Sequence, residues 1–324
     1  MLGVLLTLVS ATTFGLNNVL VRRGVITGTA TQALVMSMPV GLVSFALMAL
    51  IFGQWGELAH FSTFNLVMLA CAGLSHFICG RYCAYRSLAA MGANLSMPVT
   101  QWSLLVSLVL AIVFLGEKLD LMKLIGIALV VLGPAVLVAR QRMRSKKASA
   151  TASSFKPRLV EGYTFAILAC FGWGSSPAFV RAGLHGPGQA LAGGMISYAA
   201  ATAVIVLLLF IPKVWRNVAS MTPAELRWFS GTSVMTSVSQ ILMYLAMAIA
   251  PVIVVQPLMR FQLIVGAVAG WYLNRQHEAF DSGVIGALII SMIGAIFLAL
   301  DGPMVAAWLG APAWAAAAFG WSWP

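Results

Sequence analysis

The chain has 324 residues, of which 61% are hydrophobic and 8% charged, where a soluble domain carries about 25% charge. Its mean hydropathy is +0.96. Such a composition excludes an ordinary water-soluble fold, and it turns the net charge of +11 from a nucleic-acid signal into a question of membrane orientation.

An apolar helix of about 20 residues crosses a bilayer, and the sequence predicts ten such spans: 2–21, 31–53, 64–88, 92–115, 121–139, 161–182, 189–212, 227–248, 251–273 and 282–300. Span 1 has no basic flank before it and carries Asn17 and Asn18, so it reads as a retained helix rather than a signal peptide. The longest polar stretch, Arg140 to Arg158, is a basic Ser/Ala-rich linker. Beyond span 10, residues 301–324 hold Trp308, Trp314, Trp321 and Trp323 broken by Gly and Pro, which predicts an interfacial or partly disordered tail. Cys71, Cys79, Cys83 and Cys170 all fall inside spans, so no disulfide framework is implied.

Basic residues divide unevenly between the two sides of these spans. With the N-terminus outside, 14 Lys and Arg lie at inner loops and helix ends against three outside (Lys118, Lys123, Arg181), with Arg81 and Arg260 inside the membrane. The bias favours both termini outside.

A repeat organises the chain. At an offset of 159 residues, Phe14-Gly15 meets Trp173-Gly174, Arg81 meets Gln240, Tyr85 meets Tyr244, Pro98 meets Pro257 and Gln101 meets Arg260. Each crossed pair holds one arginine and one glutamine. Five spans per repeat force the two halves into opposite orientations, a recurrent plan of secondary transporters with a site at the repeat interface. The expected fold is therefore all-α: two inverted five-helix repeats (1–140 and 161–300), a basic linker (141–160) and an apolar tail (301–324).

These residues resemble the drug/metabolite transporter superfamily, EamA type. The resemblance rests on the aromatic-glycine openings Phe14-Gly15 and Trp173-Gly174, on Pro98 and Pro257, and on Leu115-Gly116-Glu117 closing span 4. It implies a central cavity lined by spans 1, 3, 4, 6, 8 and 9, and export of amino acids or related metabolites. Two features depart from the family pattern. Span 9 ends in Leu273-Asn274-Arg275-Gln276-His277-Glu278 rather than Gly-Glu, and the loop 53–62 lacks Lys and Arg, where a basic loop would give cytoplasmic termini.

All eight acidic residues fall in loops or at span ends. The intramembrane charges are thus cationic, and a guanidinium holds a carboxylate, sulfonate or phosphate bidentately. The candidate substrate site is a belt of Arg81, Gln101, Gln240 and Arg260, with Tyr85, Tyr244, Trp102, Trp173, Asn17, Asn18 and Ser176 around it and with Pro98 and Pro257 breaking the helices. Against this stand plainer readings: prolines as packing kinks, Arg81 snorkelling to an interface, tyrosines as core, and the Ser/Thr run 232–239 as helix-to-helix hydrogen bonding.

His76 is a weaker candidate for proton coupling. His76, Cys79 and Cys83 share one face, but a single straight helix cannot wrap a tetrahedral ion, so neither a metal nor a cofactor is expected. The expected function is a secondary transporter of a small anionic or zwitterionic metabolite in the inner membrane, driven by a proton or counter-substrate and not an enzyme. The alternative is a broad exporter of neutral or hydrophobic compounds. Expected partners are the solute and the bilayer, with no nucleic acid.

Overall fold

The computed structural model describes residues 1–24, 28–91, 96, 99–100, 102–132, 135, 158–273, 282–300, 302 and 322–323. The chain is mostly helical. Its first half contains α1 (Leu2–Gly24), α2 (Ala30–Ile51), α3 (Thr63–Gly73), α4 (Arg81–Met91), α5 (Ser103–Leu115) and α6 (Leu121–Leu132). The second contains α7 (Leu159–Gly183), α8 (Ala190–Leu209), α9 (Pro212–Ala219), α10 (Pro223–Ile249), α11 (Val252–Leu258), α12 (Phe261–Leu273) and α13 (Ser282–Ala299).

Among the described residues, five helical stretches are long and apolar enough to cross a membrane: Thr31–Ile51, Thr63–Ser87, Leu159–Gly183, Pro187–Leu209 and Pro223–Ile249. Leu2–Asn17, Ser103–Leu115, Leu121–Leu132 and Val252–Gly266 are shorter apolar helices.

Local chemistry sets the boundaries. α2 opens with a capping box between Thr29 and Gln32, and α10 with one between Thr222 and Glu225 followed by Pro223. α5 stops at Gly116, whose φ of +64° suits a left-handed cap. α3 and α4 join through a π-helical turn, Leu74–Gly80, in which the Arg81 N–H bonds the His76 carbonyl five residues back.

Two features lay outside the sequence expectations. The short amphipathic α9 occupies what reads as a loop between spans 7 and 8, with Trp215 exposed. In the tail, Ser322–Trp323 pairs antiparallel with Leu119–Asp120 behind α5, so this part of an expected interfacial or disordered tail is docked. Residues 303–321 lie outside the described residues.

The halves are interleaved. α1 packs against α10 and α12, while α7 packs against α3, α4 and α5. Two close approaches correspond at the repeat offset. A Cβ on Gly15 would lie 2.6 Å from the Gln262 carbonyl and 2.8 Å from Val265 Cβ. One on Gly174 would lie 2.8 Å from the Ser103 carbonyl and 2.5 Å from Val106 Cβ. Gly174, Ser103 and Val106 are the counterparts of Gly15, Gln262 and Val265. Glycine is needed at both crossings because lipid tails are as apolar as side chains, so helices in a membrane gain from close backbone packing.

Beside these crossings, Phe45, Phe77, Tyr198 and Tyr244 form a buried aromatic core with ring centroids 4.2 to 5.4 Å apart.

Candidate functional site

Four helices enclose a cavity of about 40 Å³. α1 contributes Phe14 and Asn17, α2 Ala33 and Ser37, α4 Arg81 and Tyr85, and α10 Thr232, Ser233 and Thr236. Counting about 1.5 Å per residue along α1, Asn17 lies about 21 Å from Gly3, so the cavity sits toward the end of the molecule where α1 finishes and α10 begins. A volume of this size holds roughly three waters; a metabolite requires the helices to part.

The cavity has a donor side and an acceptor side. Arg81 is buried, with Nη1 donating to Ser37 Oγ at 3.1 Å and its guanidinium 5.4 Å from the Phe77 ring centroid. Among the described residues no carboxylate pairs with it. Opposite, Asn17 Nδ2 donates to Thr236 Oγ1 at 2.9 Å. Asn17 is only 3% exposed, and its Oδ1 has no hydrogen-bond partner. The Thr232 and Ser233 hydroxyls both donate to the Phe229 carbonyl, leaving their oxygens as acceptors.

Of the residues singled out from sequence, Arg81, Tyr85 and Asn17 line this cavity. Gln240 lies one helical turn beyond Thr236 on α10, where its Nε2 meets His76 Nε2 at 3.3 Å. His76 Nδ1 and Gln240 Oε1 are buried without partners. The π-helical turn sets His76 and Arg81 five residues apart, about one π turn.

The others fall elsewhere. Tyr244 belongs to the aromatic core against Phe45. Trp173 packs with Gly80 and the Cys83–Ala84–Ala169 cluster, and Ser176 is buried within α7. Trp102 stands at the start of α5 and is 67% exposed, and it does not line this cavity. Arg260 lies apart from the residues lining this cavity. It lies in the break between α11 and α12 that follows Pro257, where its Nη2 donates to Ser103 Oγ at 3.0 Å on α5. Pro98 and Gln101, and the side chain of Asn18, lie outside the described residues.

Sequence reasoning missed Ser37, Thr232, Ser233 and Thr236 as cavity residues, reading the α10 hydroxyls as helix-to-helix bonding. The spacing of Thr232, Thr236 and Gln240, four apart on one face, was the signal that could have found them.

The comparisons with known proteins follow this geometry. Residues 1–139 match the EamA-like transporter family. A solved structure, titled only as the crystal structure of a protein, is 15% identical over 91% of this chain and 95% of its own, with a TM-score of 0.69; at that identity the likeness concerns the fold. No curated protein matches the chain. Over its first 139 residues the chain is thus similar to the EamA-like transporter family, and its long apolar helices fit a multi-pass membrane protein.

Proposed function

We propose that the protein is a secondary transporter that carries a small zwitterionic or anionic metabolite across the inner membrane by alternating access, in the direction of export. The observation that carries this reading is Arg81, a buried guanidinium in a membrane cavity with no carboxylate partner among the described residues. Intramembrane cations are costly and are kept where they face a cavity or a ligand.

In the same cavity Asn17 Oδ1 has no partner, and the Thr232 and Ser233 hydroxyls donate to the Phe229 carbonyl, so these oxygens can accept hydrogen bonds from a solute. A solute with a carboxylate at one end and an ammonium or other N–H donor at the other satisfies both sides. The polar lining speaks against a carrier of neutral hydrophobic compounds.

The corresponding contacts of Gly15 and Gly174, with the exchange of partners between α1 and α7, support two inverted five-helix repeats (1–140 and 161–300) joined by the basic linker 141–160. Rocking of one repeat against the other opens the cavity to alternate sides. The charge bias supports both termini outside, an orientation in which the cavity lies toward the inner face.

A thermal-shift screen tests the reading. Amino acids and small carboxylates should raise Tm in proportion to occupancy, and Arg81→Gln should abolish that shift. Stabilisation by organic cations, or an unchanged shift in Arg81→Gln, would overturn it.

A further inference from the structure

One long apolar helix, Pro187–Leu209, ends just before α9 (Pro212–Ala219), and another, Pro223–Ile249, begins just after it, so α9 lies at the level of the membrane surface. Its sequence divides along its length. At about 100° per residue, Val214, Trp215, Val218 and Ala219 fall on one side and Lys213, Arg216 and Asn217 on the other. A helix divided in this way lies in the interface plane, with its apolar side in the acyl boundary and its cations at headgroup level.

Asn217 fastens α9 to the rest of the molecule. Its carbonyl accepts Gln32 Nε2 at 2.8 Å, and its Nδ2 donates to Thr29 Oγ1 at 3.1 Å. Thr29 and Gln32 are the capping box of α2, so α9 is held against the first turn of a long apolar helix. Val218 packs against the main core. Held from that side, α9 leaves Trp215 58% exposed, with Lys213 and Arg216 exposed beside it.

The flanking residues repeat this pairing of aromatic and cation. Phe210, 80% exposed, and Ile211 precede α9, and Arg227 and Trp228 are exposed near the start of α10. Between residues 207 and 231 the one acidic residue is Glu225. It is buried, with Oε2 accepting the Thr222 N–H. Among the described residues no carboxylate pairs with Lys213, Arg216 or Arg227.

We propose that α9 and the start of α10 form a docking surface for anionic phospholipid, with headgroups on Lys213, Arg216 and Arg227 and acyl chains against Phe210, Ile211 and Trp215.

Charge and polarity together select this occupant. A soluble anion answers the cations but leaves Phe210 and Trp215 in water. A zwitterionic lipid covers the aromatics but brings its own ammonium to the cations. Anionic lipid meets both needs, since each Lys or Arg near such a surface is attracted to it within a Debye length. The inference rests on the long apolar helices flanking α9 and holds whichever solute the cavity takes.

Photoactivatable lipid tests it on the full-length protein in phosphatidylcholine nanodiscs. Trace phosphatidylglycerol and trace phosphatidylcholine, carrying the same acyl-chain diazirine, are compared by mass spectrometry of the labelled peptides, normalised to the label on α3. In the parent, residues 210–228 should take about tenfold more label from phosphatidylglycerol. Unlabelled phosphatidylglycerol should compete the excess away, and inorganic phosphate at matched ionic strength should not. Lys213→Gln, Arg216→Gln and Arg227→Gln together, all at exposed positions, should bring the ratio of the two lipids to about one. Equal labelling by the two lipids in the parent, competition by inorganic phosphate, or an undiminished ratio in the triple variant overturns the proposal.

If the triple variant fails to fold, salt decides the matter on the parent. At about 1 M salt, where the screening length is about 3 Å, the excess from phosphatidylglycerol should vanish, and its persistence overturns the proposal.

Discussion

Arg81 and Arg260 occupy crossed positions of one repeat, each the counterpart of a glutamine, and the fold uses them differently. Arg81 lines a cavity with Asn17, whose Oδ1 has no partner, and with Thr232 and Ser233, whose hydroxyls donate to the Phe229 carbonyl. Arg260 sits in the break after Pro257 and donates across to Ser103 on α5, a neighbour of the α7 crossing at Gly174. Equal depth in sequence thus does not give equal surroundings. Both guanidiniums reach a hydroxyl on a neighbouring helix, Ser37 for Arg81 and Ser103 for Arg260, but only Arg81 also lines the cavity with Asn17, and on the proposed reading that is where the solute meets it.

The largest effect should come from separating the two arginines by substitution. Arg81→Gln should weaken binding of a carboxylate-bearing solute about a hundredfold, since a charged bidentate contact contributes about 2–3 kcal/mol. Arg260→Gln should change affinity less than about twofold while lowering Tm. Isothermal titration and thermal denaturation of the two variants measure both halves of the statement, and equal losses of affinity would break the comparison.

Next in size is the packing that relates the halves. Gly15→Ala and Gly174→Ala each force a methyl against a carbonyl and a valine, and each should destabilise by about 1–3 kcal/mol. Similar drops in Tm are expected for both. A large drop for one and none for the other would break the correspondence between the repeats.

A smaller effect sharpens the picture of the acceptor wall. Asn17→Ala removes the partnerless Oδ1 and should cost an amino acid about fivefold in affinity, roughly one hydrogen bond. The matching carboxylic acid without the amine should lose much less. Competition binding with such a pair of compounds reads the difference directly, and parallel losses would remove the ammonium from the account.

The smallest effect is on stability. Burial raises the Glu117 carboxyl in the folded protein, so the folded state holds that proton more tightly than the unfolded chain. Its contribution is complete below the ordinary carboxylate range and is lost as pH rises through the raised value. Over that window Tm of the parent should fall with rising pH more than Tm of Glu117→Gln, by scanning fluorimetry at matched ionic strength.

Much of this was legible in the sequence. The five long apolar helices followed from apolar length, and Arg81, Tyr85 and Asn17 stood out as polar residues within apolar spans. The Gly15 and Gly174 crossings were visible as paired aromatic-glycine steps. What sequence could not supply was azimuth. Trp102 follows Gln101 as Phe261 follows Arg260, yet Trp102 faces outward, because a one-residue step turns a helix by about 100°. The π-helical turn before Arg81 shifts its face by a further residue, and no local residue pattern announced it. Nor did the sequence connect Glu117 with Val252 and Ile253, which lie far along the chain and meet only through interleaving of the halves.

The most direct test of the central claim is counterflow in proteoliposomes loaded with a stabilising amino acid or carboxylate, comparing the parent, Arg81→Gln and Arg260→Gln. The account predicts accumulation of labelled solute by the parent and by Arg260→Gln, and none by Arg81→Gln. Accumulation by Arg81→Gln at the parental rate, with loss in Arg260→Gln, would contradict it and move the site to the break between α11 and α12.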